Sequence, residues 1–268
     1  MKFAFFCPKW GMEDLSNEAA AKKVKAAGYD GMEIATDVKE AAQTIKAMKD
    51  HGLETILMAF GGVAEFVAHK KQFRSDLETL AAAKPLFINA HTGKDFFTFE
   101  QNCELIQTAM DVQKASGIKI LHETHRGRFS YSLPATDHYF VTFPDLRLTG
   151  DFSHWVNVSE SFLSDQTDSM ARAMSRTDHI HSRVGHPEGP QVNDPRAPEW
   201  TEAVQAHLAW WDKIVDIHRK KGTPVLTVTS EFGPAPGYLP TLPYTNQPVA
   251  SQWDINVYMM DLLRKRYA

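Results

Sequence analysis

Apolar and polar positions alternate along this chain in one repeated rhythm: a short run of apolar or β-branched residues, then a longer stretch with apolar residues at helical spacing. KFAFFC at 2–7, GMEI at 31–34, LETILMAF at 53–60, PLFINAH at 85–91, IKILHE at 118–123, LRLTGD at 146–151, DHIHSR at 178–183 and PVLTVTSE at 224–231 read as strands. The stretches 14–28, 38–51, 63–83, 100–116, 134–143, 162–175, 199–221 and 249–266 read as helices, and Gly28, Gly117 and Gly222 supply stop signals. The eight strand-plus-helix units recur with no linker or break in composition, so residues 1–268 are read as one domain. Short strands alternating with helices imply an α/β chain with a parallel sheet, and eight units at this length favour a single (β/α)8 barrel over an open sheet. An open dinucleotide-binding sheet carries a glycine fingerprint in its first turn. CPKWGMED has none, and the chain has no P-loop.

Composition narrows the partners. A hydrophobic fraction of 43% and a charged fraction of 23% are ordinary for a globular domain. A net charge of −4 does not favour a nucleic-acid partner, because phosphate binding usually brings a basic surface. Cys7 and Cys103 are too few for a disulfide framework and are expected to pack. The N-terminal apolar run is short for a signal peptide and no run is long enough to span a bilayer, so a cytoplasmic protein without a membrane partner is expected.

Candidate chemistry sits at the ends of the later strands. LHETHRG, LTGDFSH, HIHSR and VTSEFG place Glu123, Asp151, His181 and Glu231 there, where parallel barrels collect their catalytic groups. Three carboxylates and an imidazole form a hard-to-borderline ligand set for one divalent metal. Period-two alternation puts Glu123 on a face with Leu121 and His125, Asp151 with Arg147 and Thr149, His181 with His179 and Arg183, and His91 with Phe87 and Asn89. Eight of the twelve histidines fall between 91 and 186, which points to a site. The helical histidines His51, His69, His207 and His218 are expected at the surface.

The order Glu, Asp-x-x-His, His-x-His, Glu resembles the xylose isomerase-like barrels, and the sugar isomerase and epimerase group in particular, over all eight units. The resemblance implies that Glu123, Asp151, His181 and Glu231 hold a single Mn, Mg, Co or Zn ion and that His154 touches substrate. It implies a sugar isomerase or epimerase working by proton transfer through a metal-stabilised enediolate, with Glu123 and Glu231 as catalytic groups. One departure stands out: where well-studied ketose 3-epimerases carry a further Glu six residues after the strand-five ligand, this chain has Phe129, with His125, Arg126 and Arg128 nearby. His91, His125, His154, Arg183, Lys9 and Trp10 are the candidate substrate-binding residues. Arg126, Arg128 and Arg183 are also able to grip a phosphate or carboxylate. The alternatives are a zinc phosphodiesterase of the apurinic endonuclease branch and a non-catalytic carbohydrate-binding barrel. The loops 184–198 and 232–248 are candidate lids, and Trp210-Trp211 mark either a subunit contact in a homo-oligomer or the barrel wall.

Overall fold

Each apolar run becomes one strand of a sheet that closes on itself. In the computed structural model, which describes residues Met1–Ala268, the strands are β1 (Lys2–Pro8), β2 (Gly31–Ile34), β3 (Glu54–Phe60), β4 (Phe87–His91), β5 (Ile120–Glu123), β6 (Leu148–Gly150), β7 (Thr177–His181) and β8 (Val225–Thr229). They pair in parallel in chain order, and Lys2–Phe6 of β1 pairs with Val225–Thr229 of β8 to close the barrel. The helices are α1 (Asn17–Ala26), α2 (Ala41–Asp50), α3 (Phe66–Ala82), α4 (Phe99–Ser116), α5 (Leu133–Thr142), α6 (Ser153–Val158), α7 (Thr167–Arg176), α8 (Thr201–Lys220) and α9 (Gln252–Tyr267). Local signals set their ends. A capping box of Thr98 and Gln101 opens α4, and Gly117, at φ 72°, closes it in the left-handed region that glycine tolerates. No helix is long and apolar enough to cross a membrane.

Two apolar cores result. One of 59 buried residues joins sheet and helices. A second, inside the barrel, is a small group of Phe6, Ile56, Phe87 and Leu121. Gly31 exists for this inner group: a Cβ there would lie 2.3 Å from Phe6 Cε1 and 2.5 Å from the Glu54 carbonyl oxygen. His179 meets the group edge-on, its ring centroid 5.1 Å from that of Phe87. There the interior changes from apolar to polar, and polar groups continue to the C-terminal mouth.

The structure departs from the sequence expectations at several points. β6, β7 and β8 stop at Gly150, His181 and Thr229, so Asp151, Arg183 and Glu231 lie just past the sheet rather than in it. Glu231 has φ 54°, a left-handed backbone that ends the strand sharply. α6 is an extra turn-and-a-half of helix that the pattern did not announce, and α7 begins at Thr167 rather than 162. His69, His207 and His218 are buried, not superficial. Each meets a backbone carbonyl: Val63 O at 2.7 Å for His69, Ala203 O at 2.8 Å for His207 and Thr177 O at 2.7 Å for His218. Trp210 and Trp211 are both buried against the barrel, which excludes them as an exposed subunit contact.

Candidate active site and metal centre

Strand parity turns Glu123 and His181 inward at the C-terminal ends of β5 and β7. The Thr124 hydroxyl stitches the ends of β5 and β6 together, donating to Asp151 O and accepting from Asp151 N–H, each at 2.8 Å. Past β8, Asn256 of α9 accepts from Phe232 N–H at 2.9 Å and Gln191 accepts from Gly233 N–H at 2.7 Å, which fixes the turn that carries Glu231.

The four predicted ligands converge: one ligand atom each from Glu123, Asp151, His181 and Glu231 lies within 4.8 Å of every other. His181 Nδ1 is 2.5 Å from Glu231 Oε2, 3.8 Å from Glu123 Oε2 and 3.9 Å from Asp151 Oδ2. Glu123 Oε1 is buried with no hydrogen-bond partner, and His181 Nδ1 and Glu231 Oε2 face each other with no partner outside the centre. Buried polar atoms are normally satisfied, so an unpartnered carboxylate oxygen beside three further ligand-type side chains fits a cation. The charge balance agrees. Burial, with the charges of Glu231 and Glu123, pushes Asp151 up to about 7 against the pull of Arg183 and His181. Burial opposes protonation of His181, yet the surrounding carboxylates of Glu231, Glu33 and Glu123 hold it well above its ordinary value. Three carboxylates crowded in a dry site call for positive charge, and a divalent ion supplies it.

A residue that the sequence reading missed organises this centre. Glu33, on β2, accepts from the Thr229 hydroxyl at 2.6 Å and from Asn89 Nδ2 at 2.8 Å, and lies 3.0 Å from His181 Nε2 and 3.3 Å from His179 Nε2. Burial raises its pKa, but the charge of His181 and the hydrogen bonds from His179 and His181 bring it well below the ordinary carboxylate range. Holding Nε2 leaves Nδ1 of His181 as the nitrogen that could ligate a metal ion. The signal was present: a lone Glu in the otherwise apolar strand GMEI.

Above the centre opens a cavity of about 380 Å³. Of the four ligands only Glu231 lines it; Glu123, Asp151 and His181 are fully buried below. His91, His125, Arg183, Lys9 and Trp10 also line it. His91 Nε2 is 2.8 Å from Glu123 Oε2, so the imidazole lies between that carboxylate and the cavity. His125 stacks between His91 and His154, at centroid distances of 4.6 and 3.9 Å. Burial first, then the charge of His91, keeps His125 well below its ordinary pKa. His154 differs from expectation: it is fully buried behind His125, and its Nε2 is 2.6 Å from Arg183 Nη2 rather than on the wall. Arg183 pairs with Asp151 and lies under Tyr238, its guanidinium 4.8 Å from the ring centroid. Tyr238, also missed, comes from the loop 232–248 and meets Trp10 edge-on at 4.8 Å.

Two further groups of metal-type side chains adjoin the centre, Glu33–His179–His181 and His91–Glu123–His125. The first is a hydrogen-bonded network, with Thr229 and Asn89 occupying Glu33. The second shares Glu123 with the main centre.

No family model matches the sequence, and no curated protein matches it. Solved structures do match. They include the probable 3-DHS dehydratase involved in petrobactin synthesis from Bacillus anthracis, at 18% identity, TM-score 0.63 and coverage of 99% of this chain and 100% of that one. A D-allulose 3-epimerase from Methylomonas sp. matches at 14% identity, TM-score 0.65 and coverage of 99% and 98%. Endonuclease IV from Thermus thermophilus matches at 12% identity, TM-score 0.58 and coverage of 99% and 98%. These are xylose isomerase-like barrels, and the chain has their fold from end to end.

Proposed function

We propose that this protein is a metal-dependent isomerase or epimerase that moves a proton on a carbon beside the carbonyl of a sugar or sugar derivative. The observation that carries this is the convergence of Glu123, Asp151, His181 and Glu231, one ligand atom each within 4.8 Å of the others, at a sugar-sized cavity. The epimerase activity of the D-allulose 3-epimerase with the same fold supports it.

Glu123, Asp151, His181 and Glu231 would hold one Mn, Mg, Co or Zn ion. When bound, such an ion acts as a Lewis acid on the substrate carbonyl and acidifies the adjacent C–H. Glu231 is the candidate ligand that reaches the cavity, and its carboxylate takes or returns the proton on one face of the substrate. Glu123 rises from β5, three strands from β8 around the closed barrel, and serves the other face. Because Glu123 is fully buried, its proton traffic passes through His91, which holds Glu123 Oε2 at 2.8 Å and lines the cavity. Return to the same carbon gives epimerisation, and return to its neighbour gives isomerisation. Trp10 and Tyr238 close the mouth and limit water.

One observation favours a second reading, a zinc phosphodiesterase like the fold neighbour endonuclease IV: His91 and His125 share Glu123 with the main centre, as a second ion would need. Against it stands the net charge of −4, which is poor for DNA.

Elemental analysis of protein purified without chelator, beside His181→Ala, tests both. About one Mn, Mg, Co or Zn per chain, lost in the variant, supports the isomerase; two or three zincs per chain support the nuclease. Absence of metal that titration cannot restore refutes both. Glu231→Gln is expected to lower turnover of any sugar found by about 10²–10⁴-fold with the fold intact.

A further inference from the structure

Two cations on the cavity wall make no ion pair; Glu123 and Asp95 act on Arg128 only from beyond 4.0 Å. Arg183 is matched to Asp151, Glu33 is enclosed by its four partners, and Glu13 accepts from Gly11 N–H at 2.9 and 3.1 Å. Arg128 and Lys9 line the same wall, and no carboxylate lies within 4.0 Å of either. Arg128 donates a single hydrogen bond, to the Gly61 carbonyl at 3.3 Å, so most of its five N–H donors remain open. The side chain is more than half buried, and burial lowers its pKa. Elsewhere in this barrel a comparably sheltered guanidinium, Arg147, carries its own acid, Asp178. An unpaired cation is costly to shelter from water unless a counter-charge arrives.

The position of Arg128 is built rather than incidental. Its own N–H donates to His125 O at 3.2 Å, and the N–H of the fully buried Phe129 donates to Thr92 O at 3.2 Å. Gly127, at φ 77°, makes the turn that presents the side chain. The fork therefore starts from an anchored turn after β5 and reaches toward the end of β3, over the cavity.

We propose that the substrate carries an oxyanion, a carboxylate or a phosphate, and that Arg128, with Lys9, binds it while the carbonyl end faces Glu231 and the metal ligands. This rests on the reading of the centre given above and narrows its substrate to sugar acids or sugar phosphates. The planar fork of Arg128 suits two-point contact with such a group, which a neutral hydroxyl cannot match.

The test is equilibrium binding to the metal-loaded protein, by calorimetry, of two matched pairs: D-glucose against D-glucuronate, and D-fructose against D-fructose 6-phosphate. In at least one pair the anion is expected to bind about tenfold or more tightly than its neutral partner. Arg128→Gln should remove that advantage, and Arg128→Lys should keep part of it. An advantage in the uronate pair alone identifies a carboxylate, and in the phosphate pair alone a phosphate. Equal binding within both pairs, no binding of either anion at millimolar concentration, or an advantage that survives Arg128→Gln overturns the proposal. Metal content measured on the same samples separates the two levels. Protein that holds no metal refutes the centre, whereas protein that holds metal but shows no preference for anions refutes only the oxyanion site.

Discussion

Replacing Glu33 with Gln changes one atom in a closed hydrogen-bond network, and its effect can be worked out from the contacts. The carboxylate is an acceptor only, and it faces donors on both oxygens: Asn89 Nδ2 at 2.8 Å on Oε1, and the Thr229 hydroxyl at 2.6 Å and His181 Nε2 at 3.0 Å on Oε2. The amide that replaces it must turn its NH2 toward one side. The milder choice keeps oxygen toward Thr229 and His181 and sets two donors against each other at Asn89. One buried bond is then lost and the bond to His181 loses its charge, a cost of about 2–3 kcal/mol in stability. His181 also loses the anion that fixes its ring and strengthens Nδ1 as a ligand, so metal affinity should fall about 10–100-fold. Competition against a chelating indicator measures that affinity, with circular dichroism as a check on the fold. A Kd within about twofold of wild type in a folded Glu33→Gln protein would refute the role assigned to Glu33 and leave it as packing alone.

Acid should weaken the fold through its buried imidazoles. Burial pushes His122 and His207 each down to about 4 from an ordinary 6.5, so the folded chain binds fewer protons than the unfolded one between those values. The stability they contribute is complete above about pH 6.5 and is lost as pH falls toward 4, by up to ~1.4 kcal/mol per pH unit for each histidine. Urea melts from pH 7 to 5 should show the slope, and His207→Gln should make it shallower; an unchanged slope would remove His207 from the account. Trp211→Ala empties a fully buried site on α8 and should cost about 3–5 kcal/mol in thermal or urea unfolding. A loss below about 1 kcal/mol would mean that the wall does not depend on this ring.

The barrel was legible because period-two strands and period-3.6 helices differ in spacing, and strand parity sufficed for Glu123 and His181, whereas Asp151 and Glu231 were legible only as the residues that end an apolar run. What escaped notice depends on neighbours in space. GMEI reads the same whether Glu33 faces solvent or the barrel axis; only closure of β1 on β8 places it beneath His181. His69, His207 and His218 sit at helical positions that the spacing alone does not mark as buried; His69 and His207 meet nearby carbonyls, Val63 and Ala203, and only His218 meets one from a distant segment, Thr177. Asp151, Arg183 and Glu231 continue apolar runs in sequence, so the runs overstate β6, β7 and β8; the turn at Glu231 is visible only in its φ of 54°. His154 shared its motif with Asp151, but the short helix α6 that follows carries it behind His125.

The cavity wall and the candidate metal ligands divide the chain between them. Of the fourteen residues that line the cavity, nine, from Pro8 to His91, belong to the first four strand units, whereas all four ligands, Glu123 to Glu231, belong to the last four. Glu33, through His181 and Thr229, and Asn89 and His91, through Glu123, are the struts that cross from one half to the other. A lineage that keeps these three struts is free to redraw the rest of residues 8–60 and so reshape the cavity wall, with the candidate metal centre carried along unaltered. In a protein built this way, a shuffled library confined to the first third of the chain is where new substrates are to be found, and changes of reaction type are to be sought in the second half.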